Sequence, residues 1–324
     1  WSYMRNEAMA AAGNAPGIAD PGNQPTYDYF KAITHENAPI YNLNLSFSGG
    51  TDKGDYYLSV DKFSQEGIIK RTGFDRVTLR SNASYKPTSW LKVGENLTMV
   101  KSDQKNQGEN DEWTSMMVTA FMRDPTTPVM NADGSYTKGN YNDTWNPAAT
   151  VQYTNQNSYY YRTAGNVYAT VDLLKGLTFN TSYAFEYSFA EADSYDPVYY
   201  VFNVQKNDVS RLAKFNSNFV TTQWTNTLNY DRTWGDHHFT AMAGGEMYDS
   251  KYRWNSTNVN DVPSDDPAVR FIDNAIGRNA ATVGGSMTEL KLVSGLARLN
   301  YSYKDRYLLT GNFRADGSSK FLTN

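Results

Sequence analysis

Cysteine is absent from this 324-residue chain, which rules out disulfides, thiolate metal centres and cysteine nucleophiles. Charge is sparse too: Asp, Glu, Lys and Arg make up 20% of the residues and the net charge is -4. With no basic run to follow a phosphate backbone, nucleic acid is excluded as the main partner. No apolar run reaches the 18 residues that a membrane-crossing helix needs. That absence excludes helices alone, because strands cross a bilayer without such a run.

Motifs for chemistry are equally thin. Ser102 to Lys105 matches S-x-x-K with no supporting motif, there is no Gly-rich phosphate loop, and no carboxylate pair stands out. His237 and His238 are adjacent on an alternating stretch and point to opposite faces, while His35 stands alone. Acidic residues at Glu109, Asp111 and Glu112, and at Asp265 and Asp266, lack the spacing of a calcium loop and read as solvated charge. The expectation is therefore no enzyme, no cofactor and no metal.

What the chain does have is aromatic residues, 15% of the total with 25 Tyr and 7 Trp, and a period of two. Tyr41, Leu43, Leu45 and Phe47 interleave with Asn42, Asn44, Ser46 and Ser48; Phe179, Tyr183 and Phe185 interleave with Thr178, Asn180 and Ser182. Such stretches are strands with one apolar and one polar face. Ten are expected, at about 40–49, 55–63, 75–86, 90–101, 163–174, 177–188, 219–232, 237–247, 290–303 and 307–316.

The connections alternate short and long. Turns at 51–54, 87–89, 175–176, 234–236 and 304–306 separate the members of each pair, and long segments at about 64–74, 102–162, 189–218 and 248–289 separate the pairs. A soluble sandwich has no reason to sort its loops this way. A transmembrane barrel does, since its periplasmic turns are tight and its extracellular loops carry function. The expected fold is all-β: an antiparallel up-and-down transmembrane β-barrel segment of about ten strands.

Two divisions follow: residues 1–38 as an extracellular loop with one short helix (Trp1, Met4, Ala8 and Ala11, stopped by Gly13), and 39–324 as a partial barrel. Opening on Trp1 without initiator Met or signal peptide, the sequence reads as a piece of something longer. Tyr56, Tyr85, Trp90, Trp234, Phe239, Tyr303 and Tyr307 sit near the short turns, as an interfacial belt would. Thr78, Arg80, Asn82, Ser84, Arg298, Asn300, Arg314 and Asp316 are expected on the lumen side. Glu95 breaks the pattern, sharing parity with Leu91, Val93, Leu97 and Met99.

Residues 44–97 and 295–321 go beyond periodicity. Ser48 to Gly50 at a turn, Gln65 to Ile68, Tyr303 to Tyr307 (Tyr-Lys-Asp-Arg-Tyr) and Arg314 to Ser318 (Arg-Ala-Asp-Gly-Ser) follow in the order found in SusC/RagA-type TonB-dependent outer-membrane transporters, which the chain resembles. Residues 146–187 resemble the same family's middle strands more weakly. The resemblance implies a large plugged barrel in the cell outer membrane, of which the plug and C-terminal strands are not in this segment. It further implies nutrient uptake of glycans or peptides, a SusD-like surface lipoprotein as lid, and TonB acting through the plug.

Within that frame, Trp145, Tyr159, Tyr160, Tyr161, Tyr199, Tyr200 and Trp254 are candidate ligand-binding rings in the outer loops. Packing between loops, or an upper aromatic girdle, is the other reading of them. Residues 109–125 read as a helix with Trp113, Met116, Met117, Ala120 and Phe121 on one face, either packed on the barrel mouth or, through Trp113, Met117 and Phe121, docked to the lipoprotein. A different function class stays open: a cell-surface structural or adhesive β-protein that binds glycans without transport.

Overall fold

A computed structural model describes residues 1–107 and 114–321. In chain order the elements are α1 (Ser2–Ala11), α2 (Tyr29–Ile33), β1 (Ile40–Thr51), β2 (Gly54–Glu66), β3 (Gly73–Thr88), β4 (Leu91–Asn106), α3 (Met116–Met122), α4 (Pro147–Tyr153), β5 (Asn155–Leu174), β6 (Leu177–Asp196), β7 (Tyr199–Phe202), β8 (Gln205–Asn207), β9 (Arg211–Trp234), β10 (His237–Asn260), β11 (Thr282–Tyr303) and β12 (Tyr307–Ser318). Ten strands form one antiparallel up-and-down sheet in the order β1-β2-β3-β4-β5-β6-β9-β10-β11-β12, and β7 pairs with β8 in a small separate hairpin. Residues 1–38 contain two helices where the pattern predicts one, because α2 is too short to show a period.

Cross-strand register carries one face across the whole sheet, since directly opposed residues point the same way. Starting from Leu45, the row runs through Val60, Leu79, Met99, Thr163, Tyr187, Val220, Lys251 and Glu289. Rows nearer the short turns carry mostly apolar residues on this face, among them Leu58, Leu97, Phe185, Met247, Val293, Leu228, Leu299 and Phe313, with polar exceptions that include Ser81, Glu95, Thr181, Thr222, Asn226, Asp249 and Lys291. Glu95 lies between Ala83 and Val167 and accepts a hydrogen bond from Ser81 Oγ at 2.6 Å.

Among the described residues, no second layer packs on this apolar face. Leu43 is 70% exposed and Phe313 66%. A monomer in water rarely leaves so wide an apolar area open. The two-layer sandwich is thereby excluded, because its inner faces would press against each other.

The opposite face is a polar ladder. Thr310 Oγ1 donates to Asn300 Oδ1 at 3.0 Å, Asn300 Nδ2 to Thr240 Oγ1 at 3.0 Å, and Arg298 Nε to Asn312 Oδ1 at 2.7 Å. Arg162 grips Glu186 with two bonds of 2.9 and 2.7 Å. On this face too, Ser84 donates to Asp55 at 2.6 Å, and Arg314 pairs with Asp316 at 2.8 Å. Ser102 shares the polar face while Lys105 points away from it, so strand parity breaks the S-x-x-K pair.

All five short turns lie at one end, each two or three residues long, and all longer connections lie at the other. The last turn is tight enough to hold Lys304 and Asp305 at φ 52° each. At the long-loop end the strands run further than alternation predicts. The expected loops 102–162, 189–218 and 248–289 contract to 107–154, 197–210 and 261–281, and the first connection to 67–72. Above the apolar band both faces carry polar and aromatic residues, so the period fades while the backbone ladder continues.

Candidate functional site

The buried cores of the molecule sit among the long connections and the strand ends that lead into them. Tyr29 and Ile33 of α2, Met116 and Ala120 of α3, and Val151 of α4 pack into one apolar cluster; Tyr195, Leu212, Val259, Val262 and Ala275 form a second. Beside the first cluster runs a buried polar lattice. Arg123 donates from Nε to Tyr29 Oη at 3.0 Å and from Nη1 to the Thr144 carbonyl at 2.6 Å. Asp124 accepts from Thr126 Oγ1 at 2.9 Å and from the Thr127 amide at 2.9 Å. Burial pushes the Tyr29 hydroxyl above its ordinary pKa, against the pull of the Arg123 guanidinium.

Asn146 caps α4 ahead of Pro147 at the first helical turn. Its backbone amide donates to Gln205 Oε1 at 2.6 Å, and Gln205 Nε2 returns a bond to the Asn146 carbonyl at 2.9 Å. This reciprocal pair holds the β7–β8 hairpin against α4. Tyr199 of the hairpin then stacks on Tyr153 of α4, with ring centroids 4.3 Å apart and planes at 8°.

Beside that stack opens a cavity of about 290 Å³, lined by Trp145, Thr150, Tyr153 and Thr154 on one side and Asp196, Tyr199, Lys206, Asn207 and Arg211 on the other, with Thr114 at its edge. Burial raises the Tyr199 pKa, with Asp196 adding to the effect, so the phenol stays a neutral donor. Flat rings, an amide, a carboxylate and two cations converge here. The set suits a polar organic ligand that offers both a flat apolar side and hydrogen-bonding groups.

Of the rings expected to bind ligand, Trp145 and Tyr199 meet at this cavity; the others do not. Tyr159, Tyr160 and Tyr161 lie within β5 and not in a loop. Tyr159 and Tyr161 take the apolar face, Tyr161 lying 6.3 Å from Phe189, while Tyr160 takes the polar face. Trp254 belongs to β10, where its ring stacks 6.1 Å from that of Phe215. Tyr200 is exposed at the hairpin rim, donating to Asn203 at 3.1 Å.

The helix expected over 109–125 is the shorter α3. Its apolar stripe splits: Met116 and Ala120 face the core, whereas Met117 and Phe121 are exposed, Phe121 by 75% with its ring 4.2 Å from Phe30. Trp113, together with Glu109, Asp111 and Glu112, lies outside the described residues. Asp265 accepts from Tyr195 Oη at 2.6 Å and Asp266 caps a 3-10 turn through the Ala268 amide, so both are held by protein partners.

Sequence reasoning missed Tyr153, Asp196, Lys206, Asn207 and Arg211. Asn146-Pro147 is a helix-start signal that would have located one wall. The other wall is joined through Gln205, far along the chain, and left no local trace.

No protein-family model matches the chain. TonB-dependent receptor P39 of Formosa agariphila is 29% identical over 284 residues, covering 87% of this chain and 26% of the relative. Over most of its length the chain is similar to TonB-dependent receptors. Receptor P26 of the same organism is 27% identical over 339 residues, covering 98% of the chain and 32% of its own length. The chain therefore spans about a quarter to a third of the length of the curated relatives it matches.

Among solved structures, the RagAB peptide transporter superposes with a TM-score of 0.75 at 19% identity, over 92% of this chain and 34% of that one. The RagAB importer in its open-open state gives 0.77 at 21%, over 91% and 33%. These matches show that the ten-stranded sheet has the fold of the RagAB barrel.

Proposed function

We propose that this chain forms part of the barrel of a TonB-dependent importer in the cell outer membrane. The observation that carries the proposal is the uncovered apolar band running across all ten strands, bounded by short turns on one side and long loops on the other. With lipid against the band, its exposure stops being a liability. The long-loop end then faces outward, so residues 1–38 are extracellular, and the polar ladder lines the lumen. Relatives named TonB-dependent receptors support energised uptake.

The substrates in this reading are oligosaccharides or peptides. The cavity at Trp145 and Tyr199 has room for one unit of such an oligomer. Met117 and Phe121 on α3 offer an apolar contact to a SusD-like lipoprotein, and TonB acts through a plug that lies elsewhere in the whole receptor.

Single-cysteine variants of the whole receptor in cells, made in a cysteine-free background, test the topology directly. Cysteine at Leu299 should resist a water-soluble maleimide and react with a lipid-soluble one, and cysteine at Tyr200 should do the reverse. Water-soluble labelling of Leu299 would overturn the proposal. Uptake of labelled oligosaccharide or peptide mixtures, measured with and without TonB, separates import from the adhesive reading, in which binding occurs and uptake does not.

A further inference from the structure

A groove of about 520 Å³ crosses the apolar face of β5, β6, β9 and β10 just where that face turns from apolar to charged. Register defines its floor. Thr163, Tyr187, Val220 and Lys251 stand in one cross-strand row; Tyr161, Phe189, Asn218 and Arg253 stand in the next row toward the long loops. Each row thus runs from aromatic or hydroxyl side chains at one end to a cation at the other.

The cations are incompletely neutralised. Lys251 lies 3.5 Å from Glu289, which Lys291 approaches more closely at 3.1 Å while also standing 3.7 Å from Asp249. Arg253 contacts only sulfur through its Nε, Met287 Sδ at 3.4 Å, and makes no ion pair among the described residues. Three cations therefore face two carboxylates at this end of the groove. Glu191 stands one row higher on β6, two strands away from Arg253. Asp193, higher still, is engaged by Lys214 at 2.9 Å.

We propose that the groove binds the headgroup of a phosphate-bearing lipid. The guanidinium of Arg253 and the ammonium of Lys251 take the phosphate oxygens, to which a planar fork and a point charge are both suited. The first acyl carbons lie over Tyr187, Val220 and Thr222, descending into the apolar band. Tyr161 and Tyr187, 41% and 51% exposed, present rings with one dry and one wet end at that depth. A soluble anion would gain nothing from the aromatic end of the groove. A lipid uses both ends.

The inference rests on the membrane reading above, and its test is arranged to fail separately. The intact receptor in maltoside detergent is titrated with dioleoyl phosphatidic acid, with dioleoylglycerol, which has the same chains and no phosphate, and with inorganic phosphate; bound lipid is read by native mass spectrometry. Phosphatidic acid should bind at least about tenfold more tightly than the other two. The double variant K251A/R253A should hold it no better than dioleoylglycerol. Should that variant fail to fold, judged by heat-modifiable gel migration, Arg253→Gln alone should weaken binding severalfold.

Equal affinity for the two lipids, or undiminished binding by a folded variant, overturns the proposal. Competition by inorganic phosphate at the lipid's own concentration overturns it in favour of a soluble-anion site. Failure of the membrane reading would appear instead in the maleimide pattern at Leu299, which does not depend on these cations.

Discussion

The ring of Tyr168 lies directly across Gly94 of the neighbouring strand: a Cβ placed at Gly94 would stand 2.4 Å from Tyr168 Cζ. On the other face Tyr56 covers Gly49 in the same way, with a Cβ there 2.8 Å from its hydroxyl. In both pairs the ring covers a backbone that lacks its own side chain, and the two residues are direct register partners. Gly94→Val should displace the Tyr168 ring and lower the yield of folded barrel, while Tyr168→Ala should cost about 1 kcal/mol, the upper range for a cross-strand pair. Urea midpoints of the refolded receptor check this; unchanged midpoints for both variants would remove the ring's structural role.

Charge on the apolar band should block assembly. Phe179→Arg and Leu299→Arg each place a cation against lipid, a cost that reaches roughly 2 to 4 kcal/mol at mid-bilayer. Asn300→Arg, one residue along but on the polar face, should assemble normally. The comparison is read from the folded fraction in purified outer membranes, and equal assembly of all three would contradict the assignment of faces.

Arg123 ties α2 and α3 to the loop carrying Thr137 and Thr144. Truncating it to Ala leaves several buried acceptors unpaired and should cost the long-loop subdomain about 3 kcal/mol, while the strands below stay intact. Amide exchange should speed up across 116–153 and not in β9 to β11.

Tyr29 gives the same region a pH response. Burial raises its pKa above 10.0, so the folded loop favours the neutral phenol more than the unfolded chain does. The associated stability is fully present below the unfolded value and is lost as pH rises through the folded one. Exchange protection around α2 should fall in alkaline buffer and become insensitive to pH in Tyr29→Phe.

At the cavity, Trp145→Ala and Tyr199→Ala should each weaken binding of the receptor's substrate by about tenfold, the equivalent of 1.4 kcal/mol. Tyr160→Ala, which removes a ring remote from the cavity, should leave affinity unchanged. Calorimetry with ligand recovered from the native receptor decides between them, and an effect of Tyr160 alone would move the site into the lumen.

Much of the fold was legible from residue order because a strand's two faces are written in its period. Leu43, Leu45 and Phe47 announced their common face, and Arg298 and Asn300 the opposite one. The band's upper limit was less legible. From Asn155 to Arg162 the chain is polar or aromatic at nearly every position, and only the ladder with β4 and β6 makes it strand. Residue type and loop position alone point to the binding rings, and they group the three consecutive tyrosines of β5 although alternation sends Tyr160 away from its neighbours.

By itself the sequence determined the ten-strand count, the sorting of short turns from long loops, and which side of each strand is apolar, since all three depend on residues close in the chain. Only the tertiary structure decided that the apolar side stays uncovered, that Gln205 reaches Asn146, and that Trp145 and Tyr199 share a cavity. Those facts depend on contacts between residues about 55 positions apart or more, or on the absence of contacts, and no local pattern encodes either.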